Sequence, residues 1–255
     1  MSTPAIELMR RHHSVRHYKP DPVSADMIET IVSAAQCSST SQNLQTWSAI
    51  AVTDASTRLR LATLCGDQEH VAQAPSFLAW CADLSRLDRT CQLRGYTQVT
   101  EYVDSFLGAA MDCAIAAQTG ALAAESLGLG ICYIGSIRNQ PQQVIDLLGL
   151  PRLVFPITGM TLGWPAAAPA VKPRLPLNAV LHWETYDRRH EDQALSDYDR
   201  EMRQTGIYQG RQVPVSGKPE ETEDYGWLEH CARRVSQPAR TELREILRRQ
   251  GFELE

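Results

Sequence analysis

The sequence predicts an α+β fold, and three observations carry that reading. Four apolar runs of strand length, 48–53 (SAIAVT), 76–82 (SFLAWCA), 130–136 (GICYIGS) and 155–164 (FPITGMTLGW), are spaced along the chain before residue 165. Stretches with apolar residues at helical spacing separate them. Beyond residue 185 the pattern is mostly helical, with no second strand-rich core. At 255 residues, 43% hydrophobic and 22% charged, the chain can bury a sizeable core and has the composition of an ordinary globular protein.

Taken in order, residues 4–12 predict a short helix with Ile6, Leu8 and Met9 on its apolar side. Ser24 stands as an N-cap before a helix in which Met27, Ile31, Ala34 and Ala35 recur at helical spacing. A polar loop, SSTSQNLQTW (38–47), leads to the first strand, and ASTRLRLATLC predicts a helix before the second. Residues 104–128 predict the longest helix, whose Ala and Gly content lets neighbouring backbones approach closely. Asp112 and Gln118 interrupt its apolar run, so it reads as a buried helix rather than a membrane span. QPQQVIDLLGL, between the third and fourth strands, predicts a helix stopped by Gly149 and Pro151. The segment PAAAPAVKPRLP holds four prolines and can continue neither a helix nor a central strand. It predicts an extended arm on a single domain, 1–255, whose residues 185–255 form a mostly helical extension with helices over 191–204, 221–235 and 238–250. In the last of these, Glu245 and Arg249 stand at i,i+4 on a solvated face.

The formal net charge of −5 argues against a general nucleic-acid or membrane-surface binder. The seven cysteines are scattered with no CxxC pair, which gives neither a zinc site nor a disulfide framework. MSTPAIELMRRHH has no apolar h-region, so the expected location is cytoplasmic. Against that acidic background, RRHHSVRHYK (10–19) concentrates three arginines, one lysine and three histidines. Basic residues there can be a solvated helix end, a metal site or an anion site. His13 and His17 share a face only if a helix runs through Ser14, and no carboxylate or cysteine is positioned nearby, which disfavours metal. Arg and Ser together suit a phosphate. The hydroxyls and amides of 38–47 can bind a heterocycle edge or a phosphate, or simply connect helix to strand. Lys172 and Arg174, held between prolines, can grip an anion or merely be solvated.

The order of motifs is more informative than any one of them. HxSxRxY, SSxSxNLQxW, GDQEHVAQAP, AAESLGLGICYIGSIRN, GMTLGWP and KPRLP together resemble the flavin-dependent nitroreductase superfamily. The likeness is nearest to its NADPH-preferring branch of oxygen-insensitive major nitroreductases and flavin reductases. It covers residues 4–185 well and the C-terminal helices more loosely. The resemblance implies a nitroreductase-like fold, a central, mostly antiparallel sheet flanked by helices with a helical C-terminal excursion. It also implies a homodimer with non-covalent FMN at the subunit boundary and NADPH as electron donor.

Carried over by position, the resemblance assigns His12, His13, Ser14 and Arg16 to FMN, with Arg16 at the phosphate. Ser39, Thr40, Ser41 and Asn43 correspond to a loop at the FMN site, often the partner subunit's. Gln68 matches a glutamine at the flavin, and Tyr133, Ile134, Gly135 and Ser136 match the strand end beside the ring. Lys172 and Arg174 match a pair contacting the flavin and its phosphate. Arg211, with Lys218 behind it, is the candidate for the 2′-phosphate of NADPH. His13 stands where this branch more often has arginine, and Ser136 where a second glycine is common. The implied activity is ping-pong hydride transfer from NAD(P)H through flavin N5 to nitroaromatics, quinones, azo compounds or free flavin. It needs no catalytic side chain and no metal, because orientation and ring electronics supply the catalysis. The alternatives are a sibling acting as dehalogenase or enone reductase, or in flavin breakdown, and a non-catalytic flavin-binding redox sensor.

Overall fold

Four strands, β1 (Trp47–Val52), β2 (Ser76–Asp83), β3 (Gly130–Ile134) and β4 (Val154–Gly163), form one sheet in the order β1-β2-β4-β3. Every pairing is antiparallel. The computed structural model that shows this describes residues 1–167, 169–219 and 222–255. Ten helices accompany the sheet among the described residues. The first five are α1 (Pro4–Arg10), α2 (Ala25–Gln36), α3 (Ala55–Leu64), α4 (Glu69–Gln73) and α5 (Ser85–Arg94). The others are α6 (Val103–Ser126), α7 (Pro141–Leu148), α8 (Glu191–Gln204), α9 (Trp227–Val235) and α10 (Leu243–Arg249). The α+β reading with an antiparallel sheet is thereby met.

Strand β2 explains why its sequence is an unbroken apolar run. All of its residues are buried, and from Phe77 to Cys81 they alternate between two cores. Leu78 and Trp80 face one with α2 and α6, while Phe77, Ala79 and Cys81 face the other with α3, α7 and α10. The Ala/Gly surface of α6 makes the first core possible: a Cβ on Gly120 would stand 3.0 Å from the Trp80 ring. By length and composition alone α6 would suffice to cross a membrane. Its Ala109, Cys113, Ala116, Ala117 and Ala121 are buried, whereas Val103, Leu107, Met111 and Ile115, four residues apart, remain exposed.

The chain divides into two compact units. Met1–Ala170 with Arg240–Glu255 forms one, which holds the sheet; Val171–Ala239, with α8 and α9, forms the other.

Several boundaries differ from the sequence reading. Ser24 caps α2 as expected, its hydroxyl accepting from the Met27 N–H. The first helix stops at Arg10 rather than continuing to residue 12. The third strand ends at Ile134, and Gly135–Arg138 closes into a 3-10 turn. The helix expected over 221–235 begins at Trp227, and its expected first residue lies outside the described residues. That expected over 238–250 begins at Leu243, because Arg240 takes a left-handed φ of 55° that no α-helix accommodates. Helices α4 and α5 were not expected from the sequence: α4 is only five residues long, and in α5 the apolar Leu87 and Cys91 stand among mostly polar residues.

Candidate functional site

The basic N-terminal segment is laid along the β3–β4 side of the sheet. The Val15 N–H donates to the Ile131 carbonyl at 2.8 Å and the Lys19 N–H to the Trp164 carbonyl at 2.8 Å. The Val15 side chain fills space that Gly130 leaves: a Cβ there would lie 2.5 Å from Val15 Cγ2. The Tyr18 hydroxyl sits 2.7 Å from both the Val15 carbonyl and Thr161 Oγ1, and burial raises its pKa. With Val15 turned inward, Arg16 and His17 are exposed. Both lie close enough to His70, on α4, that their charges add to burial in lowering its pKa. His70 Nε2 is buried with no hydrogen-bond partner. His12 is engaged by Glu125 (Nδ1 to Oε1, 2.5 Å), and His13 Nδ1 lies 2.9 Å from the Arg11 carbonyl. Ser14 is half-buried.

The hydroxyl-rich loop is organised by one carboxylate. Asp112, on α6 and 3% exposed, accepts from Thr40 Oγ1 (2.5 Å), the Ser41 N–H (3.0 Å), the Thr46 N–H (3.2 Å) and Thr46 Oγ1 (2.9 Å). Burial works to raise its pKa, and these hydrogen bonds outweigh it, leaving the carboxyl below its ordinary value. The anchored loop holds three non-glycine residues at positive φ, Gln42, Asn43 and Gln45, and its Ser39 is exposed.

Gln68 and Ser136, far apart in sequence, meet. Gln68 Nε2 donates to Ser136 Oγ at 2.5 Å and to the Cys65 carbonyl at 2.9 Å. Burial pushes the Cys65 thiol up to about 11, partly offset by a hydrogen bond with Ser136, so it is protonated at neutral pH. Tyr133 donates its hydroxyl to Gln118 Oε1 at 3.3 Å, and burial raises its pKa. Ile134 is buried in the core. At Gly135 a Cβ would come no nearer than 3.7 Å to Arg138 Nη2, so the protein itself leaves that position uncrowded.

The Val171–Ala239 unit contributes a second set. Lys172, Arg174, Arg211 and Arg234 line one cavity of about 550 Å³, walled by Tyr208 and Trp227, and no carboxylate lines it among the described residues. Arg174 donates to the Lys172 and Pro173 carbonyls. Three of the residues chosen from sequence thus share a cavity, whereas Lys218 sits in an exposed turn and does not line it.

A family model described as the nitroreductase family matches residues 9–164, and one for that family's C-terminal domain matches 172–255. The chain belongs to the nitroreductase family. Among nitroreductase relatives, FMN reductase (NADPH) of Bacillus subtilis (strain 168) is 36% identical over 258 residues, 97% of each chain. The oxygen-insensitive NADPH nitroreductase of Salmonella typhimurium is 37% identical over 250 residues, 98% of each. The solved nitroreductase-fold structure of B. megaterium NfrA2 superposes with a TM-score of 0.91 at 35% identity, covering 100% of both chains.

Sequence reasoning did not select Asp112, His70, His230 or Arg234. A lone carboxylate inside an apolar helix was the available signal for Asp112, since a buried charge must find partners. The others carry no comparable mark.

Proposed function

We propose that this nitroreductase-family chain is an FMN-dependent NAD(P)H oxidoreductase that passes electrons from NADPH to small electron-poor acceptors in a ping-pong cycle. The observation that carries the reading is the chain-wide likeness to proteins named FMN reductase (NADPH) and oxygen-insensitive NADPH nitroreductase.

The donor set fits a flavin nucleotide. An exposed Arg16 guanidinium offers a planar fork to a phosphate, and the orphaned His70 Nε2 lies within range of the same charge. Gln68 has its Nε2 occupied, which leaves Oε1 to accept from a ligand donor. Gly135 leaves room for close approach of a ring. His12, His13, Ser14, Ser39, Thr40, Ser41, Asn43, Tyr133, Ile134 and Ser136 complete the proposed flavin set, with Lys172 and Arg174 as its second basic segment. Arg211 is proposed for the phosphate of the electron donor. When bound, FMN supplies a centre that accepts a hydride and passes it on to the second substrate. The chain binds and orients; its cations stabilise added electron density, and no side-chain nucleophile is required.

A homodimer is part of this proposal. The exposed Leu107, Met111 and Ile115 of α6 support a second copy as the occupant, on the same helix that anchors the Thr40–Thr46 loop through Asp112.

An absorbance spectrum of the purified protein, before and after anaerobic addition of NADPH, tests the reading. Bound flavin that bleaches is the expected result. Bound flavin that neither NADPH nor NADH bleaches would favour the redox-sensor alternative, and absence of flavin after supplying FMN would overturn both.

A further inference from the structure

His230 is the one imidazole lining the cationic Val171–Ala239 cavity among the described residues, and its two nitrogens can exchange donor and acceptor roles. Its Nδ1 lies 3.1 Å from the Tyr225 hydroxyl, and the Val213 N–H donates to that same oxygen at 2.9 Å. With the phenol oxygen accepting from Val213, its single proton is available to His230 Nδ1, and in the tautomer that takes it the neutral ring carries its proton on Nε2. Burial, and after it the Arg234 charge, lower the imidazole pKa, so the neutral form is the relevant one.

The surroundings fix this arrangement. Tyr208 stacks on the imidazole at 4.6 Å and 27°. Arg233 Nη1 donates to the Val213 carbonyl at 3.0 Å, and its guanidinium lies 5.3 Å from the centre of the Tyr225 ring. Val213 is thus tied through both its N–H and its carbonyl, which locks the strap carrying Arg211 to α9.

We infer that His230 is an anion-binding residue of this cavity, its Nε2–H donating alongside Lys172, Arg174, Arg211 and Arg234 to the phosphate ester of a nucleotide. Tyr225 is the positioning residue that selects the tautomer. The choice of a nucleotide rests on the proposed function; the cations and the aromatic walls stand independently of it.

The test uses the purified holoprotein and the variants His230→Leu, His230→Gln and Tyr225→Phe. Calorimetric titration with adenosine 2′,5′-bisphosphate reads the donor's phosphate, and fluorescence-detected FMN release reads the flavin's. His230→Leu should weaken one of the two by about tenfold, while His230→Gln, whose amide restores a donor, stays within about threefold. Tyr225→Phe should fall between them and move the ring ¹⁵N shifts of His230 away from the pure Nε2–H pattern. Unchanged binding of both ligands by His230→Leu overturns the inference. So does a loss in His230→Gln as large as in His230→Leu, or an Nδ1–H pattern in the parent protein. A parent protein that binds no FMN would defeat the proposed function, while the bisphosphate titration would still decide the role of His230.

Discussion

Gln68 and Ser136 are joined by a 2.5 Å hydrogen bond that ties the start of α4 to the turn after β3. The pair converts two separate motifs, GDQEH and YIGSIRN, into one surface with a fixed amide orientation. Because Gln68 is also held by the Cys65 carbonyl, the serine is a second anchor rather than the sole one. Gln68→Ala should raise the Kd for FMN by about tenfold, whereas Ser136→Gly should raise it by less than about threefold. Flavin fluorescence titration reads both, and equal losses would transfer the role to the hydroxyl.

Asp112 predicts an acid-sensitive loop. Its folded pKa lies below the ordinary value, so its stabilisation is fully present above the unfolded carboxyl value of about 3.9 and is lost as pH falls through the lower folded value. Asp112→Asn should therefore flatten the acid limb of a stability–pH curve below about pH 4. Asp112→Ala, which strands the Thr40 and Thr46 hydroxyls and two N–H groups, should cost about 2–4 kcal/mol in denaturant unfolding at neutral pH.

The two ends of RRHHSVRHYK should behave differently. Arg10 closes α1 on an exposed face, while Arg16 is aimed outward by the buried Val15 beside His70. Arg16→Ala should lose bound flavin during purification and Arg10→Ala should not, as judged by flavin-to-protein absorbance ratios. Equal flavin content in the two variants would remove the distinction.

Charge placed on the exposed stripe of α6 should separate the subunits of the proposed homodimer. Leu107→Glu combined with Met111→Glu should shift the protein to monomer mass in light-scattering chromatography, with weakened FMN retention. A stable monomer that keeps full FMN affinity would contradict a shared site.

What the sequence made legible was periodicity. The apolar run of β2, the cap of α2 and the length of α6 are all local properties, and each was readable from a short window. Helix α5 was not, because it is mostly polar and distant groups help to hold it: besides the local Asp83, which accepts from the Ser85 N–H and hydroxyl, Arg86 donates to the Gln45 and Trp47 carbonyls. The site divides in the same way. Motif order identified Gln68, Ser136, Lys172 and Arg174 as chemically interesting. It did not show that Thr40 and Thr46 converge on Asp112, nor that Val213 and His230 meet at the Tyr225 hydroxyl. Those relationships arise from tertiary approach and leave no spacing in the chain.

Phe252 is fully buried, with its ring 5.2 Å from Phe106, and Ile246 and Leu247 are buried beside it. The sheet-bearing unit is thus sealed by side chains that the backbone delivers after leaving it for Val171–Ala239 and returning. Such closure makes folding order matter more than loop length, since closing a long excursion costs only slowly more free energy as it grows, while waiting for distant contacts slows the search. The core before residue 170 should therefore remain loosely packed until the returning segment docks. A chain cut within the excursion should still assemble when its two pieces are supplied together, because the seal depends on the segment arriving and not on the covalent path by which it arrives.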